Sequence, residues 1–402
     1  MNHRKLHPVV CGVGLVLLLA VSSTTATTKP VEAADRGAQA GLEALEWAFK
    51  FASAIETDPT DKAMAQQGVV ADYASLEALD EAVVLADRIE GWRRGVAYAD
   101  LATLLAQEGK PKEARALLEK ARNVRGRTEG WQGPRISAHI AGALAMLGDL
   151  DASRRIVEDV AEGDPRQYLG RAAATVAVGH ASRGDFDKAL ASLAELDDQQ
   201  DLDLSWWRTA GYLALADMES LDRSQQLRAL EAAKVSAEGV PGARKLDAFQ
   251  RVATRYHGHG MKRQAREALE ITEAIVLGIA DDMPMKGPLL SRQARGWSEI
   301  GERDRARKLL AKAEPLVEAA MVIEQPGIYA DYGASHLAIG DREAARRMYD
   351  RAVASAESLV NARPRALAVV AICRSMAREE LGLDDGLRAR LDALYRGLEA
   401  PW

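Results

Sequence analysis

A turn that returns every 36 to 41 residues constrains this chain more than any other feature of it. Its clearest copy lies in Val96 to Ala121, VAYADLATLLAQEGKPKEARALLEKA. Leu101, Leu104 and Leu105 fall at helical spacing before Gly109 and predict one apolar helix face. Ala114, Leu117, Leu118 and Ala121 predict a second face after it. Gly109 can adopt a left-handed backbone that ends the first helix. Pro111 suits the first turn of the second, where a missing N–H costs little.

The anchor recurs at Gly148, Gly184, Gly260, Gly301 and Gly340, with degenerate copies aligned at Leu221 and Arg378. Seven residues before each anchor stand Ala102, Ala141, Ala177, Ala214, Ala253, Ala294, Gly333 and Ala371, all small, as two closely packed helices require. Five residues after it come Ala114, Ser153, Ala189, Ala265, Ala306 and Ala345; the copies at Leu221 and Arg378 break this rule with Gln226 and Leu383. Nine after it, Leu118, Val157, Leu193, Leu230, Leu269, Leu310, Tyr349 and Leu387 are expected core residues. A period of this length holds one helical hairpin and its connector.

The pattern of Ala102, Gly109, Ala114, Leu118 and Ala121, repeated in Gly333, Gly340-Asp341, Ala345, Tyr349 and Ala352, resembles the tetratricopeptide repeat over roughly residues 60–395. The period is longer than that family's usual one, and its regular closing proline is missing apart from Pro315. The resemblance implies an all-α fold, a right-handed superhelical solenoid of about eight to nine hairpins. No linker divides the array, so it is expected to stack as one continuous solenoid.

The expected organisation is a signal peptide over 1–33, an N-terminal capping helix over 34–60, and the solenoid with its C-terminal cap over 61–402. Arg4 and Lys5 precede the uncharged apolar run Val9 to Val21, which is short for a membrane span and suits a signal segment. Val31-Glu32-Ala33 offers a cleavage site, with Thr24-Thr25-Ala26 as an alternative and an uncleaved anchor as the other reading. The chain is accordingly expected in a bacterial periplasm or outside the cell. Cleavage after Ala33 would take the net charge from −6 to −8, by removing Arg4, Lys5, Lys29 and Glu32. That balance does not suggest a nucleic-acid binder. Cys373 alone would remain, read as a small buried hydrophobe rather than a reactive thiol. Leu42, Leu45, Trp47, Ala48, Phe51 and Ala52 predict the capping helix, and Asp58-Pro59-Thr60-Asp61 predicts a break with a cap for the next. Leu387, Leu391, Leu394 and Leu398 give the last helix one apolar face.

Catalytic signatures are lacking: there is no phosphate loop, no His-Glu-x-x-His, no paired cysteine and no Gly-x-Ser-x-Gly. No cofactor or metal is expected. His257-Gly258-His259-Gly260 comes nearest to a metal motif but offers two turn histidines where zinc takes three or four ligands. His139, His180 and His336 read as scattered, partly exposed side chains. Asp281-Asp282 and Asp384-Asp385 read as solvated turn residues.

Two recurrent features go beyond packing. Arg135, Arg171, Arg208 and Arg365 each lie thirteen residues before an anchor, at the start of a first helix, where the helix dipole disfavours a cation. If that position faces the concave groove, stacked guanidinium groups could hold carboxylates bidentately. Otherwise each arginine pairs with an acid and joins repeats. Trp92 and Trp131, in Glu90-Gly91-Trp92 and Glu129-Gly130-Trp131, stand one repeat apart. They are read as binding anchors or as wedges between hairpins.

The leading expectation is therefore a non-catalytic scaffold of the cell envelope that binds a protein or extended peptide along its concave surface. An alternative is an enzyme on a helical toroid acting on polysaccharide, with Asp281, Asp282 and Glu324 as the loop carboxylates. Such a toroid would need its ends to meet. A purely structural envelope component is the third reading.

Overall fold

The computed structural model describes residues 31–162, 166–197 and 202–398. Among them there is no strand, and the helices alternate as hairpins. The first helix, α1, is Val31–Ser53. Eight covalent hairpins follow: α2 Pro59–Ser75 with α3 Leu79–Ala86, α4 Trp92–Gln107 with α5 Pro111–Arg125, α6 Gln132–Met146 with α7 Leu150–Glu162, and α8 Arg166–Ser182 with α9 Phe186–Ala194. The others are α10 Leu202–Ala216 with α11 Arg223–Glu238, α12 Gly242–Gly258 with α13 Lys262–Leu277, α14 Lys286–Glu299 with α15 Arg303–Ala313, and α16 Gln325–Ala338 with α17 Arg342–Glu357. The chain ends with α18 Ala362–Arg378 and α19 Asp385–Arg396. The all-α helical-repeat solenoid is thus present.

The turns work as their glycines require. Gly109, Gly148, Gly184, Gly260, Gly301 and Gly340 all have φ between +73° and +87°. Two further turns use a non-glycine in the same conformation, Glu77 at φ +62° and Glu380 at φ +51°. The last anchor is therefore Glu380 rather than Arg378. Counting back seven residues reaches Cys373, fully buried, whereas Ala371 is exposed. The assignment of Ala371 as a packing residue is corrected accordingly. At Leu221 no positive φ is needed, because Asp222 starts α11 with a capping box shared with Gln225. Gly333 shows why the position is small: a Cβ there would lie 2.7 Å from the Tyr349 ring.

The array does not rise as an open superhelix. The first helices of the hairpins, α2, α4, α6, α8, α10, α12, α14, α16 and α18, pack each on the next, and α18 packs on α2. They form an inner ring, and their hairpin partners lean on them from outside. The outer partner of α18 is α1, which runs antiparallel to it and then packs on α2, as every outer helix packs on the following repeat. The ninth hairpin is therefore assembled from the two ends of the chain.

Side chains fasten this seam. Arg374 and Arg378 of α18 both hold Asp72 of α2, Arg378 Nε at 2.9 Å. Arg363 reaches Asp58 at 2.9 Å, while Asp58 caps α2 by accepting from the Thr60 and Asp61 amides. Arg388 of α19 grips both oxygens of Glu43. Tyr395 packs edge-on against Phe51, with ring centroids 5.5 Å apart. One hydrophobic core runs through both ends, joining Leu45, Phe51 and Val69 to Val369, Cys373 and Leu391. The two terminal helices thus cover each other rather than face solvent. Gly41 permits the approach, since a Cβ there would meet the Ala377 carbonyl oxygen at 2.9 Å.

Candidate functional site: the inner wall of the ring

Nine inner helices spaced by about 9 Å place their axes on a ring roughly 26 Å across, leaving an opening of roughly 16 Å inside helices about 10 Å thick. Curvature brings inward side chains of alternate repeats together, so contacts that skip a repeat mark the inner wall. Arg171 of α8 reaches past α6 to Asp100 of α4 at 2.6 Å. His139 of α6 places Nδ1 2.6 Å from the same Asp100 oxygen. Arg295 of α14 likewise reaches past α16 to Glu379 at 2.7 Å, and Glu379 caps α18.

These contacts identify an inward register nine residues before each turn: Asp100, His139, Thr175, Tyr212, Arg251, Arg292 and Asp331 in successive repeats from α4 to α16. It is the feature that reading the sequence missed. The residues alternate in character, so no recurrent amino acid draws attention to the position.

The wall is electrostatically uneven. Burial alone would raise the Asp100 carboxyl, but Arg171 and His139 outweigh it and hold it below the ordinary range. Burial and the neighbouring Arg171 guanidinium hold the His139 imidazole down at about 4, despite the opposing pull of Asp100. Farther round, enclosure inside the ring raises Asp331 and Asp247, although Arg292 lies beside both. Asp331 is open to solvent, yet protein surrounds it, and it makes no hydrogen bond or ion pair with the described residues. Asp247 lies 3.9 Å from Arg292. Arg251 stacks over Trp206, 5.5 Å from the ring centre. Arg255 is held by both oxygens of Asp217.

Of the four recurrent arginines, Arg171 and Arg135 both act on Asp100 and His139, while Arg208 and Arg365 are engaged elsewhere. Arg171 lines the inner wall. Arg135 lies over the Trp92 ring at 5.1 Å. Arg208 donates to Ser236 in the outer helix α11 at 2.9 Å. Arg365 donates to the carbonyls of Leu359, Val360 and Gly397, tying a loop to the chain end. Trp92 and Trp131 pack edge-on with centroids 5.3 Å apart, so both flank one junction between hairpins. Trp92 borders an open groove of about 550 Å3 with Tyr98 and Arg127, and Trp131 is 53% exposed.

His139 and His336 are buried rather than partly exposed, His336 against Glu314 at 2.8 Å. For these two the reading of partly exposed side chains is corrected, while His180 is partly exposed as expected. Asp281 and Asp282 lie in the connector before α14, and Asp281 is engaged by Lys286 at 2.5 Å. Glu324 is the residue before α16. Cys373 is fully buried, and burial pushes its thiol up to about 12. Among the described residues no three potential ligands gather as a metal would require, and no helix is long and apolar enough to cross a membrane. Of the expected signal peptide over 1–33, residues 1–30 lie outside the described residues.

No family model matches the chain. No curated protein matches it either. Among solved structures it is similar to a circular tandem repeat protein with novel repeat topology and enhanced subunit contact surfaces, at 15% identity over 91% of this chain and 96% of that one, with a TM-score of 0.24. Two backbones with that score do not superpose as one fold, and the ring closure rests on the contacts within this chain alone.

Proposed function

We propose that this chain is a non-catalytic binding scaffold of the bacterial cell envelope, and that it holds a protein segment or extended peptide against the inner wall of its ring. The observation that carries this reading is the inward register itself. Closure turns the concave face of the solenoid into an enclosed polar wall, and Asp331 on that wall makes no hydrogen bond or ion pair among the described residues, though Arg292, Arg295 and Arg378 act on it through space. Rigid helices hold Arg251, Arg292 and Asp331 in neighbouring repeats, so an extended ligand is met by preorganised charge at low entropic cost. Arg292 and Arg251 suit carboxylates, and Asp331 suits an amide or basic donor. Replacing these three with alanine should abolish partner capture from an envelope extract without lowering the melting temperature. Retained capture would move the binding site off the inner wall.

Ring closure also favours a second reading, the toroid-type enzyme acting on polysaccharide. Its carboxylates would be Asp247 and Asp331 on the inner wall, both raised above their ordinary range chiefly by burial. The test is release of reducing ends from envelope polysaccharides, lost in Asp247→Asn and Asp331→Asn.

A further inference from the structure

The open groove beside Trp92 lies between the start of α4, the end of α5 and the connector into α6. Lys120 of the outer helix α5 reaches Asp87, which caps the outer helix α3, at 2.8 Å. The groove therefore opens between two outer helices, away from the inner wall. Its volume of about 550 Å3 falls in the ordinary range of ligand clefts and admits several side chains.

The groove is basic, although the chain as a whole carries a net charge of −6. Arg94, Lys120 and Arg127 line it against one acid, Glu129. Lys120 is committed to Asp87, and Tyr98 donates to the same carboxylate at 2.5 Å. Arg94 acts on Asp87 only through space. Neither Arg94 nor Arg127 makes a side-chain hydrogen bond or ion pair among the described residues. Two such guanidinium groups suit a carboxylate. Asn123 and Gln132 also line the groove without side-chain hydrogen bonds among the described residues, and each can both donate to and accept from a peptide group. Arg93 and Arg135 lie over the Trp92 ring, at 4.6 Å and 5.1 Å from its centre. The free indole surface is that of Trp131, which stands edge-on to Trp92 and is 53% exposed. A phosphate ester would use the arginines alone. A peptide with an acidic and an apolar side chain uses the arginines, the amides and the indole together.

We propose that this outer groove docks a short acidic segment of a partner polypeptide. A carboxylate side chain meets Arg94 and Arg127, the backbone meets Asn123 and Gln132, and an apolar side chain packs on Trp131. The site is separate from the inner wall and stands whether or not a ligand fills the ring. The probe is a random heptapeptide display library selected on the full chain, with fluorescence anisotropy of the selected peptides to measure affinity. Those peptides should carry Asp or Glu close to an aromatic or leucine residue. Replacing the acid with its amide should weaken binding about tenfold, the effect of losing a charge-assisted hydrogen bond. Arg127→Glu and Trp131→Ala change exposed side chains, and each should weaken binding about tenfold or more. Either variant carries the test if the other fails to fold. Alanine at Arg251, Arg292 and Asp331 should leave the affinity unchanged. Selection of peptides without acids, or unchanged affinity in folded Arg127→Glu and Trp131→Ala, would overturn the proposal. So would a loss confined to the inner-wall variant, or phosphatidylglycerol vesicles that bind more tightly than the peptides and displace them. Docking here alongside failed capture by the inner wall would remove only the inner-wall reading.

Discussion

Replacing Phe51 with alanine should open the ring at one place and leave the rest of it closed. Phe51 is fully buried, packs against Trp47 within α1, and meets Tyr395 of α19 across the seam. Truncating a buried phenylalanine costs about 3–5 kcal/mol. In a stack of repeats that loss falls on the interfaces next to the site rather than on the whole array. Backbone amides of α1, α18 and α19 should therefore lose about two to three and a half powers of ten in exchange protection, at 1.4 kcal/mol per decade. Amides of α6 to α13 should keep theirs. Phe249→Ala is the control, because Phe249 is also fully buried but lies in α12 within a covalent hairpin. It should expose α11 to α14 and spare the seam. Hydrogen exchange read by mass spectrometry resolves the two patterns. If Phe51→Ala lowered protection evenly around the ring, or left α18 protected, the ends would not form a separable ninth hairpin.

Three further outcomes follow from the same contacts. The His139 imidazole sits at about 4 in the folded chain against an ordinary 6.5, so the unfolded chain takes up the proton first. Stability should be full above pH 6.5 and fall by about 3 kcal/mol as pH drops toward 4, and His139→Gln should flatten that slope in melts across the window. Gly333→Val should cost about 2 kcal/mol in denaturant unfolding, since the Tyr349 ring, 2% exposed, has little room to yield to a Cβ 2.7 Å away. Glu77→Gly should raise stability by about 0.5–1 kcal/mol, as relief of a left-handed non-glycine exceeds the added freedom of glycine in the unfolded chain.

The hairpins were legible because their signals are local. A glycine turn, a small residue seven before it and an apolar one nine after it all act within a single repeat. Glu380 hid the last turn because its left-handed backbone has no sequence signature, which shifted that repeat's alignment by two residues. Closure was illegible for a different reason. The apolar stripes of Leu45 and Phe51 in α1 and of Leu387 and Leu391 in α19 say that each end needs cover, but not that each supplies the other's. The arginines diverge because a shared register fixes where a side chain starts, not where a long one ends. Arg171 turns to Asp100 on the inner wall and Arg208 to Ser236 on an outer helix. The Asp100–His139–Arg171 cluster joins three repeats through three different residue types, and a search for repetition passes over it.

Dividing the last hairpin between the two ends also sets a timetable for the ribosome. The α1 helix is among the first described parts of the chain to be made, and its partner α18 begins 309 residues after α1 ends, from Ser53 to Ala362. At about 5–20 residues per second, Phe51 and the side of α1 that meets α18 wait roughly 15–60 s for the surface that will cover them. The eight covalent hairpins can form as they emerge, each on its predecessor, while the side of the first helix that meets α18 stays uncovered. Whatever shields that helix in the interval decides whether a nascent ring closes on itself or on its neighbour.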